Sequence, residues 1–349
     1  MSNKTLNKFC HKPFEHFETH SSGKVSLCCF SWLDRYVGNL NDNSVEEIFN
    51  SKSTQEIRRS ILDGSFKYCN HKRCPHIQNG SLPLKENVKD EYLKEIISKE
   101  AITGLKPRFY NLCHDPSCNL SCPSCRRNKI SYTSGSIYEN KVKIQNKIVD
   151  EVFGKPHNDY CLISVTGSGD PFGSKLFREF LFNTNGKDFP NVLFNLQTNG
   201  VMFTPKYWDK MKDIQKNINT VIVSYDAGTE ETYNVTRRGG NWKVLQKNME
   251  FLSELRANNE INDLRIDFVV QKRNYKEMPL AVEIGKKLRV DTVYFSRIIN
   301  WGTFSEEEYN YHAIWKSNHE DFDNYLKVMD NPLLKDKIVD LGNLSEHGK

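Results

Sequence analysis

The sequence predicts an α/β fold preceded by a small cysteine-rich domain. Three observations favour this: strand-like and helical patterns alternate from Arg108 onward, a C-x3-C-x2-C motif follows the first of these strands, and five further cysteines stand within the first 80 residues. Alternation of this kind predicts parallel strands with helices outside them. In such a fold, functional residues gather at the carboxyl ends of the strands.

The first 80 residues predict a β-hairpin and a helix set among cysteines. Residues alternate in character on both sides of a Ser-Ser-Gly turn in the segment 16–27, and Ser44 is a candidate cap for the helical periodicity of 45–62. The cysteines of this region are Cys10, Cys28, Cys29, Cys69 and Cys74. Four thiols in two separated pairs can close a metal site, which would stabilise a region too short for a large core.

A connector, a strand–helix repeat and a polar tail follow. Residues 81–104 are polar without a strong core face and predict a helical connector, and residues 304–349 predict a C-terminal helical cap. Strands are expected at 108–112, 160–165, 191–197, 220–224, 264–270 and 292–296. Helices are expected at 138–153, 175–182, 205–213, 242–255 and 275–288.

The bulk composition is that of a globular protein without an export signal. Apolar residues make up 38% and charged residues 27% of the chain, and no apolar run reaches the ~18 residues of a membrane span. The N-terminal segment 1–6 has no apolar core of a signal peptide, so we expect a cytoplasmic protein. In such a chain, ten cysteines favour metal ligands over disulfides. The net charge of +5 is spread thinly, so neither a nucleic acid nor a membrane is expected as a partner.

The motif Cys118, Cys122, Cys125 predicts a metal centre with an open coordination position. Three thiolates can hold such a centre, and the absence of an equally close fourth thiol leaves room for chemistry. A structural zinc site is the alternative, with Cys113 or His114 as its fourth ligand.

Three motifs at predicted strand ends resemble those of the radical S-adenosylmethionine (SAM) enzymes. They are the cysteine motif, the turn 167–170 (Gly-Ser-Gly-Asp) and the segment 198–200 (Thr-Asn-Gly), and the resemblance covers roughly residues 108–300. It implies a partial (β/α)6 TIM-like barrel over residues 105–303. It also implies that Cys118, Cys122 and Cys125 hold a [4Fe–4S] cluster whose fourth iron is chelated by SAM.

The resemblance further implies which residues bind SAM. They are Gly167, Ser168, Gly169, Asp170, Thr198, Asn199, Ser224, Asp226 and Arg237. The glycine-containing turn would approach the methionyl amine, because glycine has no Cβ. Four polar residues from the next two strand ends would receive the ribose, and Arg237 would hold the methionyl carboxylate in a bidentate fork. The chain departs from the family pattern at Asp170, where glutamate is usual, and at Ser124, where an aromatic residue is common.

The N-terminal cysteines resemble the SPASM auxiliary-cluster domain. The spacing Cys10, Gly23, Cys28 fits the opening C-x9–15-G-x4-C of that domain. The resemblance implies that Cys69 and Cys74 complete one auxiliary [4Fe–4S] cluster, as in the shortened "twitch" version, with Cys29 as an alternative ligand to Cys28. The domain normally follows the barrel, whereas here it precedes it. Structural zinc is again the competing interpretation, since four ligands satisfy either metal.

The implied reaction begins with one electron from flavodoxin or ferredoxin. SAM is then cleaved to methionine and a 5′-deoxyadenosyl radical, which removes a hydrogen atom from the substrate. An auxiliary cluster that accepts an electron makes the net reaction an oxidation, either a dehydrogenation or a bond formation. Because the cysteines occupy residues 1–80, we expect no leader-recognition domain of the kind that many peptide-modifying relatives carry before the barrel. We therefore expect a small molecule such as a sugar, an aminocyclitol or a nucleotide-linked metabolite.

Other hypotheses stay open at this point. The substrate could be a ribosomal peptide that is cross-linked or epimerised, and Cys113 or Cys161 is then a candidate hydrogen donor, although each also suits a buried core position. A zinc-stapled binding protein without catalysis is the alternative of another class. An anionic substrate group would suit the basic residues expected near the site, which are Arg126, Arg127, Lys129, Arg237 and Arg238.

Overall fold

The computed structural model describes residues 5–347, which form two compact units. The first consists of the residues up to Asp115 together with 133–168 and 188–192; the second consists of 116–132, 169–187 and the residues from Leu193 onward. Residues 1–4, which begin the predicted cysteine-rich domain and the segment without a signal sequence, lie outside the described residues. So do residues 348–349, which end the predicted C-terminal cap.

The first unit combines a mixed parallel and antiparallel sheet with the cysteine-rich region. Its strands are β1 His16–Thr19, β2 Lys24–Ser26, β3 Gly38–Asn39, β4 Phe109–Leu112 and β5 Cys161–Val165, in the order β5-β4-β1-β2-β3. Its helices are α1 Lys12–Glu15, α2 Val45–Phe49, α3 Lys52–Leu62, α4 Pro75–Gln78, α5 Glu91–Lys99 and α6 Gly135–Phe153. Strands β4 and β5 pair in parallel, and the predicted hairpin is confirmed as the antiparallel pair β1–β2.

The hairpin also extends the parallel sheet, which the sequence pattern did not predict. Strand β1 pairs in parallel with β4, so that His16 lies opposite Phe109 and Thr19 opposite Leu112. Phe17 is fully buried on one face. The N-terminal cysteine-rich region is thereby built onto the first strand of the strand–helix repeat.

Two expectations for the first unit need correction. The single helix predicted over 45–62 is two helices, because the Ser51 hydroxyl accepts a hydrogen bond from the Thr54 amide and starts a new helix. Ser44 caps the first of them, as predicted. The expectation that residues 81–104 lack a core face is wrong, since Leu93 and Ile96 of α5 are buried in one hydrophobic cluster with Phe9, Phe14, Ile61, Phe66, Leu82 and Val88.

The second unit contains a parallel half-sheet covered by helices. Its strands are β6 Val192–Thr198, β7 Ile218–Ser224, β8 Asp263–Val270, β9 Thr292–Arg297 and β10 Val339–Asp340, in that order. Its helices are α7 Lys175–Asn183, α8 Pro205–Lys210, α9 Glu230–Thr236, α10 Trp242–Ala257, α11 Met278–Lys287, α12 Glu306–His312 and α13 Phe322–Met329. The predicted strands and helices are confirmed, and α9 and β10 are additions to them. Strand β10 shows that the C-terminal segment is not helical throughout.

The two faces of β7–β9 differ in character. The helix-covered face carries apolar side chains that are almost entirely buried, among them Val223 beside Gly200 and Val293 beside Gly285 of α11. The opposite face, called the open face below, carries half-buried residues that include Ser224, Asp267 and Tyr294. The predicted α/β class, with parallel strands alternating with helices as in a partial (β/α)6 barrel, is thus confirmed. Within residues 5–347 no helix is both long and apolar enough to cross a membrane.

Candidate active site

The cysteine motif lies in a loop of the second unit that is fixed by backbone hydrogen bonds. The amide of Cys118 donates to Ile130, and the amides of Cys125 and Arg126 both donate to the Cys122 carbonyl, each at 2.9–3.0 Å. This one-turn geometry returns Cys125 to the neighbourhood of Cys122. Cys118 and Cys122 are buried and Cys125 is exposed, and all three are free thiols.

Each sulfur of the motif has a hydrogen-bond donor beside it. Arg126 points Nε and Nη2 at the Cys125 sulfur, at 3.4 and 3.3 Å. Arg237 Nη1 lies 3.5 Å from the Cys122 sulfur, and Asn199 Nδ2 lies 3.7 Å from that of Cys118. Cationic and amide donors stabilise sulfur in its thiolate form, which is the form that binds metal.

Burial acts in the opposite direction on one of these thiols. It raises the pKa of Cys118 to about 11, and the nearby Asp170 charge adds to the rise, while the Leu120 amide and Arg126 oppose it. The thiol is therefore protonated near neutral pH until a metal displaces the proton.

The Asp170 carboxylate organises the glycine-containing turn. Oδ1 accepts the backbone amides of Phe172 and Gly173, at 2.9 and 2.8 Å. Oδ2 accepts the Thr198 hydroxyl and the Asn199 amide, both at 2.8 Å. The carboxylate is almost completely buried, so these four bonds replace its water shell. The turn is thereby tied to the carboxyl end of β6.

Arg237 connects the cysteine loop with the end of β7. Its Nε donates to the Ser224 carbonyl at 3.0 Å and lies 3.3 Å from Asp226 Oδ2, while Asp226 Oδ1 accepts the Val269 amide. Burial raises the pKa of the Asp226 carboxyl, and the Arg237 charge opposes this rise. Asp226 also adopts a left-handed backbone conformation, with φ of 55°.

Four cysteines of the first unit line one apolar cavity. They are Cys10, Cys28, Cys69 and Cys74, together with Trp32, Phe66, Leu82 and His76 among others. Burial raises the pKa of Cys10 to about 11 and that of Cys69 to about 12, and neighbouring cysteine charges add to both. Cys29 is not part of this lining.

Two family models match this sequence. The SPASM iron–sulfur cluster-binding domain matches residues 10–76, and the radical SAM superfamily matches residues 112–266. The chain contains a radical SAM domain preceded by a SPASM domain. The radical SAM domain implies that it uses SAM and a [4Fe–4S] cluster, and the SPASM domain implies an auxiliary iron–sulfur cluster. No curated protein matches the sequence.

This radical SAM chain also resembles solved structures. TYW1 with a lysine–pyruvate adduct bound is 14% identical, with 63% of this chain and 70% of that chain covered and a TM-score of 0.38. SuiB of Streptococcus suis bound to the precursor peptide SuiA is 12% identical, covers 71% and 53%, and has a TM-score of 0.41. The enzyme anSMEcpe with bound AdoMet is 20% identical, covers 61% and 56%, and has a TM-score of 0.43. The chain thus spans little more than half the length of SuiB and anSMEcpe.

The chain's own residues fit the groups that the family implies. Arg237 Nη2 is buried and has no hydrogen-bond partner among the described residues, so a guanidinium edge is left for an oxyanion such as the methionyl carboxylate. The four-thiol cavity fits an auxiliary cluster, since four sulfurs line it and most of its other lining residues are apolar. Among the described residues, no three His, Cys, Asp or Glu side chains converge as the ligands of one metal ion do.

The predicted SAM-binding residues divide between the units. Those that belong to the second unit, with the three cysteines, are Gly169, Asp170, Thr198, Asn199, Ser224, Asp226 and Arg237. Gly167 and Ser168 belong to the first unit. There a Cβ on Gly167 would come within 2.6 Å of the Cys113 sulfur, and the Ser168 hydroxyl donates to the Cys113 carbonyl at 2.7 Å.

Sequence reasoning overlooked three contributors to the site. The sequence indicates Arg126 only as a basic residue near an anionic substrate group, whereas its guanidinium contacts the Cys125 sulfur. Asn119 pairs its side chain with that of Asn199 at 2.8 Å. A Cβ on Gly173 would come within 2.7 Å of the Asn119 amide, so glycine is needed there. All three lie within three positions of Cys118, Cys125 or Asp170 in the sequence, and this closeness could have indicated their role.

A cavity of about 560 Å³ opens beside the cysteine loop in the second unit. Pro123 and Ser124 form one wall, and Gln271, Arg273 and Arg238 contribute polar groups elsewhere in the lining. A volume of this size accommodates a nucleoside-sized ligand.

Proposed function

We propose that this chain is a radical SAM enzyme that oxidises a small molecule, by dehydrogenation or bond formation. The observation that carries the proposal is the set of donors around the cysteine motif, together with the unpaired Arg237 Nη2. Cys118, Cys122 and Cys125 would hold the [4Fe–4S] cluster, while Cys10, Cys28, Cys69 and Cys74 would hold one auxiliary cluster. When bound, these groups would supply reductive cleavage of SAM and an acceptor for the second electron that the substrate loses on oxidation.

The protein's part is to bind and orient. Arg237 would take the methionyl carboxylate with Nη2 while its other nitrogens stay on Cys122 and Asp226. Asp170 would hold the turn at Gly169 and the hydroxyl of Thr198 in one fixed arrangement beside Asn199. Preorganisation of this kind removes the cost of ordering these groups when SAM binds. The cavity beside Ser124 would hold the adenosyl end and exclude water from it.

A small-molecule substrate is supported by the open face of β7–β9. Three of its half-buried side chains, Ser224, Asp267 and Tyr294, are polar and lie on neighbouring strands in one row. Such a row suits a compact polar molecule rather than a long apolar segment. We propose a cytoplasmic flavodoxin or ferredoxin as the electron donor.

The test is anaerobic purification followed by assay. We expect a brown protein with iron and sulfide, bleached by dithionite, that forms 5′-deoxyadenosine from SAM. A colourless protein with stoichiometric zinc and no 5′-deoxyadenosine would instead support the zinc-stapled binding protein. The Cys122→Ala variant should form none, and formation at the parent rate would refute the ligand assignment.

The substrate can be identified by label transfer. Candidate small molecules deuterated at defined carbons are incubated with the enzyme, SAM and reductant. Deuterium in 5′-deoxyadenosine names both the substrate and the attacked carbon. Transfer from a labelled peptide and from none of the small molecules would overturn the substrate class proposed above.

A further inference from the structure

Arg265 and Asp267 form a bidentate ion pair on the open face of β8. Arg265 Nε lies 2.5 Å from Asp267 Oδ1, and Nη2 lies 3.0 Å from Oδ2. The guanidinium stacks over the Tyr294 ring, with 4.3 Å from its carbon to the ring centroid. The side chains are 30% and 14% exposed, so the pair is accessible although partly desolvated.

The pair lies next to the proposed SAM-binding residues. Asp267 is the register partner of Ser224 on β7, and neighbouring strands lie about 4.8 Å apart. The Ser224 carbonyl in turn accepts Arg237 Nε, whose guanidinium reaches Cys122. A molecule bound at Arg265 and Asp267 is therefore one strand away from the residues that would orient SAM.

The hydrogen-bonding capacity of the pair is only half used. Asp267 occupies the side-on edge of the guanidinium, formed by Nε and Nη2. The end-on edge, formed by Nη1 and the second Nη2 hydrogen, has no partner within residues 5–347. A guanidinium can bind a carboxylate through that edge in the same bidentate way. Asp267 also keeps acceptor capacity, because a carboxylate has about four lone-pair sites.

The charges of Arg265 and Asp267 restrict the kind of ligand that can bind at this pair. The pair is neutral overall, so an isolated anion beside Arg265 would also meet the negative charge of Asp267. A ligand that carries an oxyanion next to a hydrogen-bond donor suits both residues, because Arg265 can donate to the oxyanion and Asp267 can accept from the donor. Building on the proposed function, we propose that Arg265, Asp267 and Tyr294 recognise an α-hydroxy or α-amino carboxylate group of the substrate.

The same unit offers a matched control. Arg256 and Asp291 form a second bidentate pair, at 2.7 and 2.9 Å, with side chains 29% and 30% exposed. Asp291 also accepts the Leu264 amide at 2.9 Å, so this pair fastens α10 to the start of β8. It resembles the first pair in geometry and exposure, but its arginine comes from α10 and not from the open face of β8.

The experiment is saturation-transfer NMR on the anaerobic, cluster-containing protein. The probes are glycolate and L-serine, which have a carboxylate beside a donor, acetate, which lacks the donor, and ethanolamine, which lacks the carboxylate. We expect glycolate and serine to bind, and acetate and ethanolamine to bind at least about tenfold more weakly. Arg265→Gln should weaken glycolate binding about ten- to hundredfold, and Arg256→Gln should not change it.

A second substitution at Arg265 tests the same guanidinium edge. Arg265→Lys keeps the charge and removes the fork, so it should also lose most glycolate binding even if Arg265→Gln folds poorly. Equal binding of all four probes, absence of glycolate binding to the parent protein, or retained binding in both Arg265 variants would overturn the inference. A protein that forms 5′-deoxyadenosine but binds none of the probes refutes this inference alone. Absence of 5′-deoxyadenosine refutes the proposed function.

Discussion

Asp170 is joined to Thr198 by a buried hydrogen bond of 2.8 Å, which ties the glycine-containing turn to the carboxyl end of β6. The same carboxylate oxygen accepts the Asn199 amide, and the other accepts the amides of Phe172 and Gly173, which follow the turn. Asp170, which is shorter than the glutamate usual at this position, therefore stabilises the local backbone. It holds together two of the segments that the radical SAM resemblance assigns to the cofactor.

Replacing Asp170 by asparagine should weaken SAM binding about ten- to hundredfold. An amide NH2 would face donors that the carboxylate now accepts, and a buried donor without an acceptor costs about 1–3 kcal/mol. Equilibrium dialysis with SAM on the cluster-containing protein measures the effect. Asp213→Asn, which removes an exposed partner of Lys187 in the same unit, serves as the control and should bind SAM normally. Unchanged binding in Asp170→Asn would contradict the positioning role.

Arg237→Gln should lower both stability and SAM binding, for separable reasons. The substitution leaves the Asp226 charge buried without its partner, which costs about 3–5 kcal/mol of unfolding free energy. It also removes the nitrogen proposed to receive the methionyl carboxylate. The double variant Arg237→Gln/Asp226→Asn no longer has the unpaired Asp226 charge. It should therefore recover much of the free energy of unfolding but not the SAM affinity. Urea unfolding and dialysis distinguish these effects, and recovery of both would show that Arg237 acts only through Asp226.

Local sequence patterns predict most of the strands and helices and part of the candidate site. The six strands and the hairpin follow from alternation along short segments, which is a local property. The parallel pairing of His16 with Phe109 depends on contacts about ninety residues apart, so no local pattern indicates it. The role of Arg126 depends likewise on how the loop folds back, since only its geometry brings the guanidinium to the Cys125 sulfur.

Substituting Cys28 and substituting Cys29 should have different effects on the iron content of the protein. Cys28 lines the four-thiol cavity and Cys29 does not. Cys28→Ala should therefore lose the auxiliary cluster, about four iron atoms per chain, while Cys29→Ala should keep it. Iron and sulfide analysis after anaerobic purification measures the loss. Cys69→Ala is a second test at the same cavity, and iron loss in Cys29→Ala with none in Cys28→Ala would reverse the assignment.

His114 should make the stability of the protein depend on pH. Burial and the nearby Lys141 charge lower the pKa of His114 from 6.5 to about 3, while its Nδ1 lies 2.9 Å from the Thr19 hydroxyl. Between about pH 6.5 and 3 the unfolded state binds a proton that the folded state does not, so stability falls as pH falls through this window. Between pH 7.5 and 5.5 the loss from this group is about 1.4 kcal/mol.

Urea unfolding of the cluster-containing protein at these two pH values measures the loss, and a His114→Gln variant isolates it. Glutamine keeps a polar group near Thr19 and does not titrate, so the variant should be less stable at pH 7.5 yet lose less stability on acidification. Because other groups titrate in both proteins, the difference between their pH dependences is the quantity that decides. An equal loss in parent and variant would mean that His114 is protonated in the folded protein, contrary to its burial.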